Sequence, residues 1–584
     1  MTRERMAEVF EEIALLMELK GENPFKIRAY RTGAETVMSF PGDIIARAQA
    51  GDLAGIKGIG EALRDKLHEM ATTGGLKFYD YLRGEFPDGI FELFELQGLG
   101  PKKVAMLYKE LGVASIADLK EAIWGGKLQH LAGFGEKSVQ KLEQSIAFHF
   151  SHAGIFRQEQ VAHDVADILA ALRGHPDVSR AEVAGSYRRG KETVGDLDFL
   201  VATPHPEKVM AYFTNQSWVA DIIANGPTKS SVHLASGIQC DLRAVTNTQF
   251  PFALAYFTGS KEHNVALRSR ALKYGWTLNE YRFASTSADG PPPPADIHEE
   301  KDIYRALELD YIEPELRENT GEIPAAEEGS LPRLVEMDFL RGTFHNHTTA
   351  SDGRNSLLEM AAAAREMGME YLGIADHSKA SFQANGLDES RLREQIAAIQ
   401  EMNRGWTDFR LFTGSEVDIL KDGRLDFSDE MLAELDYVVA SVHNAFQLSE
   451  EEMTRRILKA VENPHVTMLG HLTGRLLAKR DPYAVNIPKI IDACAETGTI
   501  IELNANPWRL DMDWRWWRLA KSKGVLCSIN PDAHSTDGLH DLYYGMRIAR
   551  KGWLERPDVV NCLKVAEMTK LLNAKRERMA ATLI

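Results

Sequence analysis

Three rhythms of apolar and polar residues divide the chain. The first 150 residues keep helical spacing: MTRERMAEVFEEIALLMELK places apolar residues three and four apart among charges, which predicts an amphipathic helix and excludes a signal peptide. Between about 180 and 250 the period shortens to that of strands, in DLDFLVA at 196–202 and IQCDLRAV at 238–245. From residue 341 onward, seven strand-like apolar runs are separated by helical stretches, which predicts a βα repeat.

One small device occurs three times inside the helical part. LAGIKGIGEALRDKL at 53–67, FELQGLGPKKVAML at 94–107 and LQHLAGFGEKSVQKL at 128–142 share an apolar residue, a Gly-apolar-Gly turn and a following helix. Ile56, Leu96 and Leu131 stand two before the first glycine, and Leu67, Leu107 and Leu142 stand nine after it. The pairs Gly58/Gly60, Gly98/Gly100 and Gly133/Gly135 permit a tight turn, and the helix that starts there presents free N–H groups to an anion. One copy is as well explained by an ordinary helical hairpin; three copies in one register favour a repeated phosphate grip.

Composition narrows the classes without naming one. A chain of 584 residues needs several cores. Four cysteines without a Cys-x-x-Cys pair argue for a reduced, cytoplasmic protein lacking disulfides or a thiolate zinc site, and no apolar run reaches membrane-spanning length. The net charge of −17 excludes a protein that coats nucleic acid by bulk electrostatics. Residues 1–150 carry 19 Lys plus Arg against 22 Asp plus Glu, so any nucleic-acid binding there must rest on directed backbone donors.

The strand-period region carries the first chemistry. In GSYRRGKETVGDLD at 185–198, Asp196 and Asp198 lie two apart in an extended run and so project from one face. Asp241, about forty residues on in a second alternating strand, can add a third carboxylate. Aspartates with substrate phosphates are how Mg2+ is usually held, and two such ions activate a hydroxyl and stabilise leaving pyrophosphate. Gly185 and Ser186 offer N–H groups and a hydroxyl to phosphate oxygens, and Arg188 and Arg189 offer charge. A lone Asp-x-Asp is common by chance. The Gly-Ser, paired arginines, Gly195, the doublet and a spaced third aspartate together resemble the nucleotidyltransferase palm of the family X DNA polymerases, the polymerase beta type.

That resemblance extends in both directions. The three hairpins look like helix-hairpin-helix motifs, and NPFKIRAYRTGAETV is similar to the start of the family's lyase domain, which implies that Lys26, Tyr30 and Arg31 hold a 5′-phosphate. Lys66 stands where that domain carries its Schiff-base lysine; a solvated helix lysine is an equally good reading. YFTGS matches the family's nucleotide-binding element. By resemblance, Ser186, Arg189 and Gly195 hold the triphosphate, Gly259 belongs to the nucleotide-binding element, Tyr256 and Phe257 pack on the sugar, Asn264 meets the base edge and Arg268 approaches the template. Lys261 and His263 depart from the polymerase beta pattern.

Nearly every run of the βα repeat ends in a metal-capable residue: His345, His347 and Asp352, then His377, Glu416, His443 and His471, then Asp532 and His534. A single histidine of this kind is more simply a core residue. Nine such residues at strand ends, which converge on one mouth in a βα barrel, point to a metal centre. The pattern is similar to the PHP (polymerase and histidinol phosphatase) domain, a distorted seven-stranded barrel whose trinuclear centre cleaves phosphoesters. Departures are Thr343-Phe344 for Asp-Leu and Leu472 for Pro, and Asp376, Glu502 and Asn504 are candidates to orient imidazoles.

The expected fold is therefore multidomain α and α/β: helix-hairpin-helix N-terminal domains, a mixed-sheet palm with thumb, and a C-terminal distorted (βα)7 PHP barrel. Expected boundaries are a lyase-like domain at 1–85, a fingers-type domain at 86–155, the palm at 156–250, the nucleotide-binding thumb at 251–316, a proline-broken acidic linker at 317–340 and the barrel at 341–584. The resemblance implies gap filling on gapped or nicked DNA with dNTP in base excision repair, by a nucleoid-associated monomer. The palm would hold two Mg2+ or Mn2+, and the barrel up to three Mn2+ or Zn2+ serving a 3′–5′ exonuclease or 3′-end phosphoesterase. Lyase or abasic endonuclease activity and repair-pathway partners are further implications. Alternatives are a small-acceptor nucleotidyltransferase fused to a phosphoesterase, and an inactive DNA-binding scaffold.

Overall fold

The computed structural model describes the backbone of all residues except 2, 41, 42, 97, 153, 583 and 584, so one position of the 94–107 segment, Gln97, lies outside it. The chain divides into two compact units, Met1–Ala153 and Gly154–Ile584.

The first unit is helical. Arg3–Lys20 packs along Pro24–Ser39, and each hairpin glycine pair leads into a helix: Glu61–Thr73, Pro101–Leu111 and Glu136–His152. The repeated leucines Leu67, Leu107 and Leu142 are buried in one apolar core running from Met6 to Ile146. The expected lyase-like and fingers-type domains therefore share a single core, because the first helix also packs against Lys77–Gly84 and Pro101–Leu111.

In the second unit, a five-stranded mixed sheet runs in the order Arg180–Val183, Asp196–Ala202, Gln239–Val245, Lys229–Leu234, Val219–Asn225. Its central pair is parallel, and its other pairs are antiparallel. Alternation along Asp196–Ala202 sends Leu197, Phe199 and Val201 into the palm core. Helices Phe250–Thr258 and Lys261–Lys273 follow, and the thumb core continues through Ile303, Tyr304 and Leu307.

Residues 317–340 are not a solvated linker. Arg317 is fully buried against Glu300 at 2.5 Å, Glu322 is buried against His263 at 2.7 Å, and Leu334 shares the thumb core with Trp553 from beyond the barrel. Acidic, proline-broken composition suggested solvent, but the charges are neutralised by partners far away in sequence. His263, the departure noted above, is a buried strut whose other nitrogen meets the Tyr304 hydroxyl at 3.1 Å.

Seven parallel strands follow in strict chain order: Gly342–Asn346, Tyr371–Ile374, Arg410–Asp418, Tyr437–Ser441, Met468–Leu469, Ile500–Asn504 and Cys527–Asn530. The first and last come together through Asn346 and Ala533, nearly closing a barrel. Strands buried on both faces read as continuous apolar runs, which is why they were visible in the sequence. The unusual Phe344 fills the barrel interior with Tyr371, Phe412 and Tyr437, where Gly373 and Gly414 leave room: a Cβ on either would collide with Tyr437.

Candidate active sites

The palm register sets Asp198 directly opposite Asp241 on the adjacent parallel strand, with Asp196 opposite Gln239. Asp196 and Asp198, two apart on one strand, therefore share a face with Asp241. Gly185, at φ +61°, opens a one-turn helix, Gly185–Arg188, over the triad; a Cβ there would lie 2.5 Å from an Asp198 carboxylate oxygen. Glycine is required at this position both by its left-handed backbone and by the carboxylate beneath it.

The three carboxylates do not titrate alike. Burial, then Asp196 and Asp241, push Asp198 up to about 6, and burial and Asp241 also raise Asp196. Burial pushes Asp241 up too, but hydrogen bonds from Lys229 (2.6 Å) and Gln239 (3.1 Å) outweigh it and hold this carboxyl below its ordinary value. Three close carboxylates that cannot all ionise comfortably are a set suited to divalent cations.

Both arginines of the turn are engaged. Arg188 forms a bidentate pair with buried Glu300 and reaches the Thr258 hydroxyl. Arg189, expected to offer its charge to phosphates, donates Nε to Glu318 at 2.9 Å and Nη1 to the Thr258 carbonyl at 2.6 Å. It remains close enough to Asp196 to lower that carboxyl. Of the residues expected to meet the nucleotide, Tyr256, Asn264 and Arg268 line one small cavity with Phe252 and Leu267. Asn264 donates to the Tyr256 carbonyl at 2.7 Å, Phe257 meets Tyr256 edge-on and lies under Arg243, and Gly259 lies against the Arg189 guanidinium. Gly195 leads directly into the strand that carries the aspartates.

In the helical unit, the two glycines of each hairpin turn play different parts. Gly58, Gly98 and Gly133 all have φ between +85° and +93°, so the tight turn rests on the first glycine alone. The second glycines, Gly60, Gly100 and Gly135, are not in the left-handed region, and a Cβ on any of them would meet nothing within 4 Å. The glycine pairs were read as permitting the turn; the backbone at Gly60, Gly100 and Gly135 does not itself require glycine. What these three positions do is open the following helices. Gly60 and Gly100 are N-caps without any side-chain capping bond, which leaves the first N–H groups unclaimed by a side chain. Gly135 stands in the equivalent place, directly before Glu136–His152, and its carbonyl accepts from the amides of Ser138 at 2.7 Å and Val139 at 3.1 Å. Lys66 lies beside two aromatic rings, 4.9 Å from Phe78 and 6.0 Å from Tyr30, while Arg31 is paired with Glu18 and Lys26 with Glu22.

All nine barrel residues singled out above converge. They form four overlapping groups: His347, Asp352, His377 and His534; His345, His471 and Asp532; His345, His347 and Glu416; and His377, Glu416 and His443. Glu416 is the hub. One oxygen lies 2.9 Å from His471, 3.0 Å from His443 and 3.2 Å from His345, and the other lies 2.8 Å from His377. Asp532 approaches His347 at 3.2 Å, and Asp352 approaches His534 at 3.3 Å. His345 Nε2, both nitrogens of His347 and His377 Nδ1 are buried without a hydrogen-bond partner, which fits ring nitrogens directed at metal ions.

Charge in this centre is polarised accordingly. Burial opposes ionisation of His345, yet Glu502 and Glu416 hold it well above the ordinary imidazole range; burial and the neighbouring His534 and His377 push His347 down to about 4. Against burial, Glu416 raises His443 to about 10, and Asp352 raises His534 to about 9.

Glu502 orients His345, accepting from Nδ1 at 2.6 Å, and Asn504 bridges Glu502 and Asp532. Asp376 does not touch an imidazole. It accepts from Thr348, Ser351 and Gln395 and so fixes the turn between His347 and Asp352. Two supporting residues were missed. Asp418 holds His443 Nδ1 at 3.2 Å, and its i+2 spacing from Glu416 on one strand was a readable signal; Arg509, 3.3 Å from Asp532, had none.

Comparisons with known proteins match this layout. A helix-hairpin-helix domain matches residues 1–76, a SAM-like helix-hairpin-helix tandem 90–146, the DNA polymerase beta palm 155–232, the DNA polymerase beta thumb 253–318 and the PHP domain 343–506. The chain is 36% identical over 574 residues to DNA polymerase/3′-5′ exonuclease PolX of Bacillus subtilis (strain 168), covering 98% of this chain and 99% of that protein. It is 23% identical to DNA polymerase lambda of Rattus norvegicus over 54% of this chain and 56% of that one. A probable phosphatase of Thermoanaerobacter sp. (strain X514) is 25% identical over 40% of this chain and 95% of its own length. With near-complete coverage of one relative and all the component domains in order, the chain belongs to the family X DNA polymerases that carry a C-terminal PHP domain.

Proposed function

We propose that the protein is a DNA polymerase that fills short gaps in base excision repair and trims 3′ ends with its barrel as a 3′–5′ exonuclease. The observation that carries this reading is the barrel's converging imidazole and carboxylate cluster, together with three aspartates on one face of the palm sheet, in a chain whose 36% identical relative is named for both activities.

In the palm, Asp196, Asp198 and Asp241 would hold two Mg2+ or Mn2+, and in the barrel His345, His347, Asp352, His377, Glu416, His443, His471, Asp532 and His534 would hold up to three Mn2+ or Zn2+. Such cations supply Lewis acidity, at the primer hydroxyl and triphosphate in one site and at a 3′-terminal phosphodiester and water in the other. Asp241 stays anionic through Lys229, so it meets an incoming nucleotide already ionised. Ser186 and the amides of the Gly185 turn face the triphosphate, Arg189 aligns it, and Tyr256 with Phe257 closes on the sugar. Asn264 then meets the base edge and Arg268 the template. The hairpin glycine turns grip DNA phosphates, and Lys66, beside Tyr30 and Phe78, is the candidate amine for an abasic-site lyase. Neutral hairpin grips and a dNTP pocket favour DNA over a small acceptor. The substrate places the enzyme with the nucleoid in the cytoplasm, and no described helix is long and apolar enough to cross a membrane.

On a gapped duplex with Mn2+, Asp241→Ala loses synthesis by at least about a hundredfold and keeps 3′-end degradation, while His345→Ala does the reverse. Synthesis that survives Asp241→Ala refutes the triad, and degradation that survives His345→Ala removes the nuclease from the barrel.

A further inference from the structure

The helix Leu542–Lys551, which follows the last barrel strand, lies against the palm turn that carries Ser186 and Arg189. Arg547 donates to the Tyr187 carbonyl, and its side chain lies against Gly190. At the end of this helix, Lys551 is fully buried. Its ammonium donates to the Arg189 carbonyl at 3.0 Å, to the Glu315 carbonyl at 3.3 Å and to the Glu318 carboxylate at 2.6 Å. The same Glu318 oxygen accepts from Arg189 Nε at 2.9 Å, and Lys191 stands 3.6 Å from the other.

One ammonium therefore fixes both ends of one residue. It grips the Arg189 main chain directly, and through Glu318 it fixes the plane of the guanidinium. A buried lysine is expensive to desolvate, and burial pushes this ammonium down to about 8 despite Glu318. Three acceptors converging on a single cation repay that only where the geometry is kept. Without Lys551, Glu318 and the Thr258 carbonyl would keep their hold on the guanidinium, but Glu318 and the Arg189 main chain would lose their common anchor, and a guanidinium whose supports shift aligns a triphosphate poorly.

We propose that Lys551, a residue of the barrel domain, is a positioning residue for dNTP binding in the palm, acting through Glu318 and the Arg189 main chain. The proposal rests on the reading of Arg189 as a triphosphate ligand. Neither Lys551 nor Glu318 touches the substrate, and neither lies among the barrel's metal-binding candidates, so the effect belongs to nucleotide binding alone.

The test is steady-state gap filling by the full chain, with 3′–5′ degradation and thermal unfolding measured on the same preparations. Lys551→Met is expected to raise KM for dNTP about tenfold with kcat within about twofold, and to leave degradation unchanged. Glu318→Gln provides a second variant should Lys551→Met fail to fold, with the same direction expected. The double variant should be no worse than the more affected single one, because both act along one line. Synthesis and degradation falling together would mean a merely structural lysine and overturn the proposal. So would an unchanged KM in the folded variants while Arg189→Ala raises it. An unchanged KM in Arg189→Ala would instead remove the reading of Arg189, and this inference with it.

Discussion

On the proposed reading the palm and the barrel both hold metal ions, but they would be completed at different moments. The palm offers three carboxylates on one sheet face, and Asp196 keeps an edge open to solvent. Coordination there needs substrate phosphates to be complete. The barrel brings nine residues from successive strands and their loops into a mostly buried cluster, with Glu416 shared among four histidines. On the same reading its cations would be held by the protein alone. A site completed by substrate can select its substrate at the moment of assembly, whereas a site complete in advance must select by access.

Three measurements sharpen that contrast. The largest effect should come from the glycine that lets the palm turn lie on Asp198. Gly185→Ala forces a Cβ to 2.5 Å from the carboxylate at a left-handed backbone position, so synthesis should fall by about a hundredfold while degradation holds. Unchanged gap filling would mean that the turn yields more easily than its geometry implies.

Next is Glu502→Gln. Glu502 accepts from four donors, His345 Nδ1, the His471 main chain, Asn504 and Asn530, so an amide NH2 at either oxygen position faces another donor. Metal content and degradation should fall by about 10- to 100-fold, with synthesis kept. Full metal content in the purified variant would argue against Glu502 as the residue that orients His345.

The smallest and most diagnostic effect concerns pH. Asp198 is raised to about 6, so in the metal-free palm it carries a proton below that pH that a cation must displace. Palm affinity for Mn2+ should be flat above about pH 6 and drop by about tenfold per unit below it. In the barrel, His443 and His534 are raised to about 10 and about 9, so these imidazoles carry protons at neutral pH and uptake releases them. Barrel affinity should therefore keep rising towards about pH 9. Calorimetric titrations of His345→Ala and Asp241→Ala would isolate the two profiles, and identical profiles would erase the distinction.

How much of this was legible in the chain depends on the range of the interactions. Strand alternation fixes which side of the sheet Asp196 and Asp198 share, and βα topology sends strand ends to one mouth, so the triad and all nine barrel residues could be read from spacing. The partners that hold them could not. Glu318 meets Arg189 across 129 residues, and Arg317 and Glu322 bury their charges against Glu300 and His263, which lie outside the stretch whose acids and prolines look like a linker. Local composition reports exposure only when charges lack distant partners. The glycine pairs show a subtler limit: spacing located all three turns, but only the backbone separates Gly133, which the turn needs, from Gly135, which it does not. Asp418 is the intermediate case: its place two residues after Glu416 was visible, but its bond to His443 required the fold.

The hairpin turns carry a consequence for conditions inside a cell. Their donors are neutral main-chain amides in a stretch with 19 basic and 22 acidic residues. A phosphate held by an amide keeps its condensed counter-ions, whereas one neutralised by lysine or arginine releases them, and that release is what makes DNA affinity collapse as salt rises. If the hairpins are the DNA grip proposed above, a grip made mostly of amides should change little with ionic strength and hold a damaged duplex through osmotic upshifts that strip more basic proteins from it.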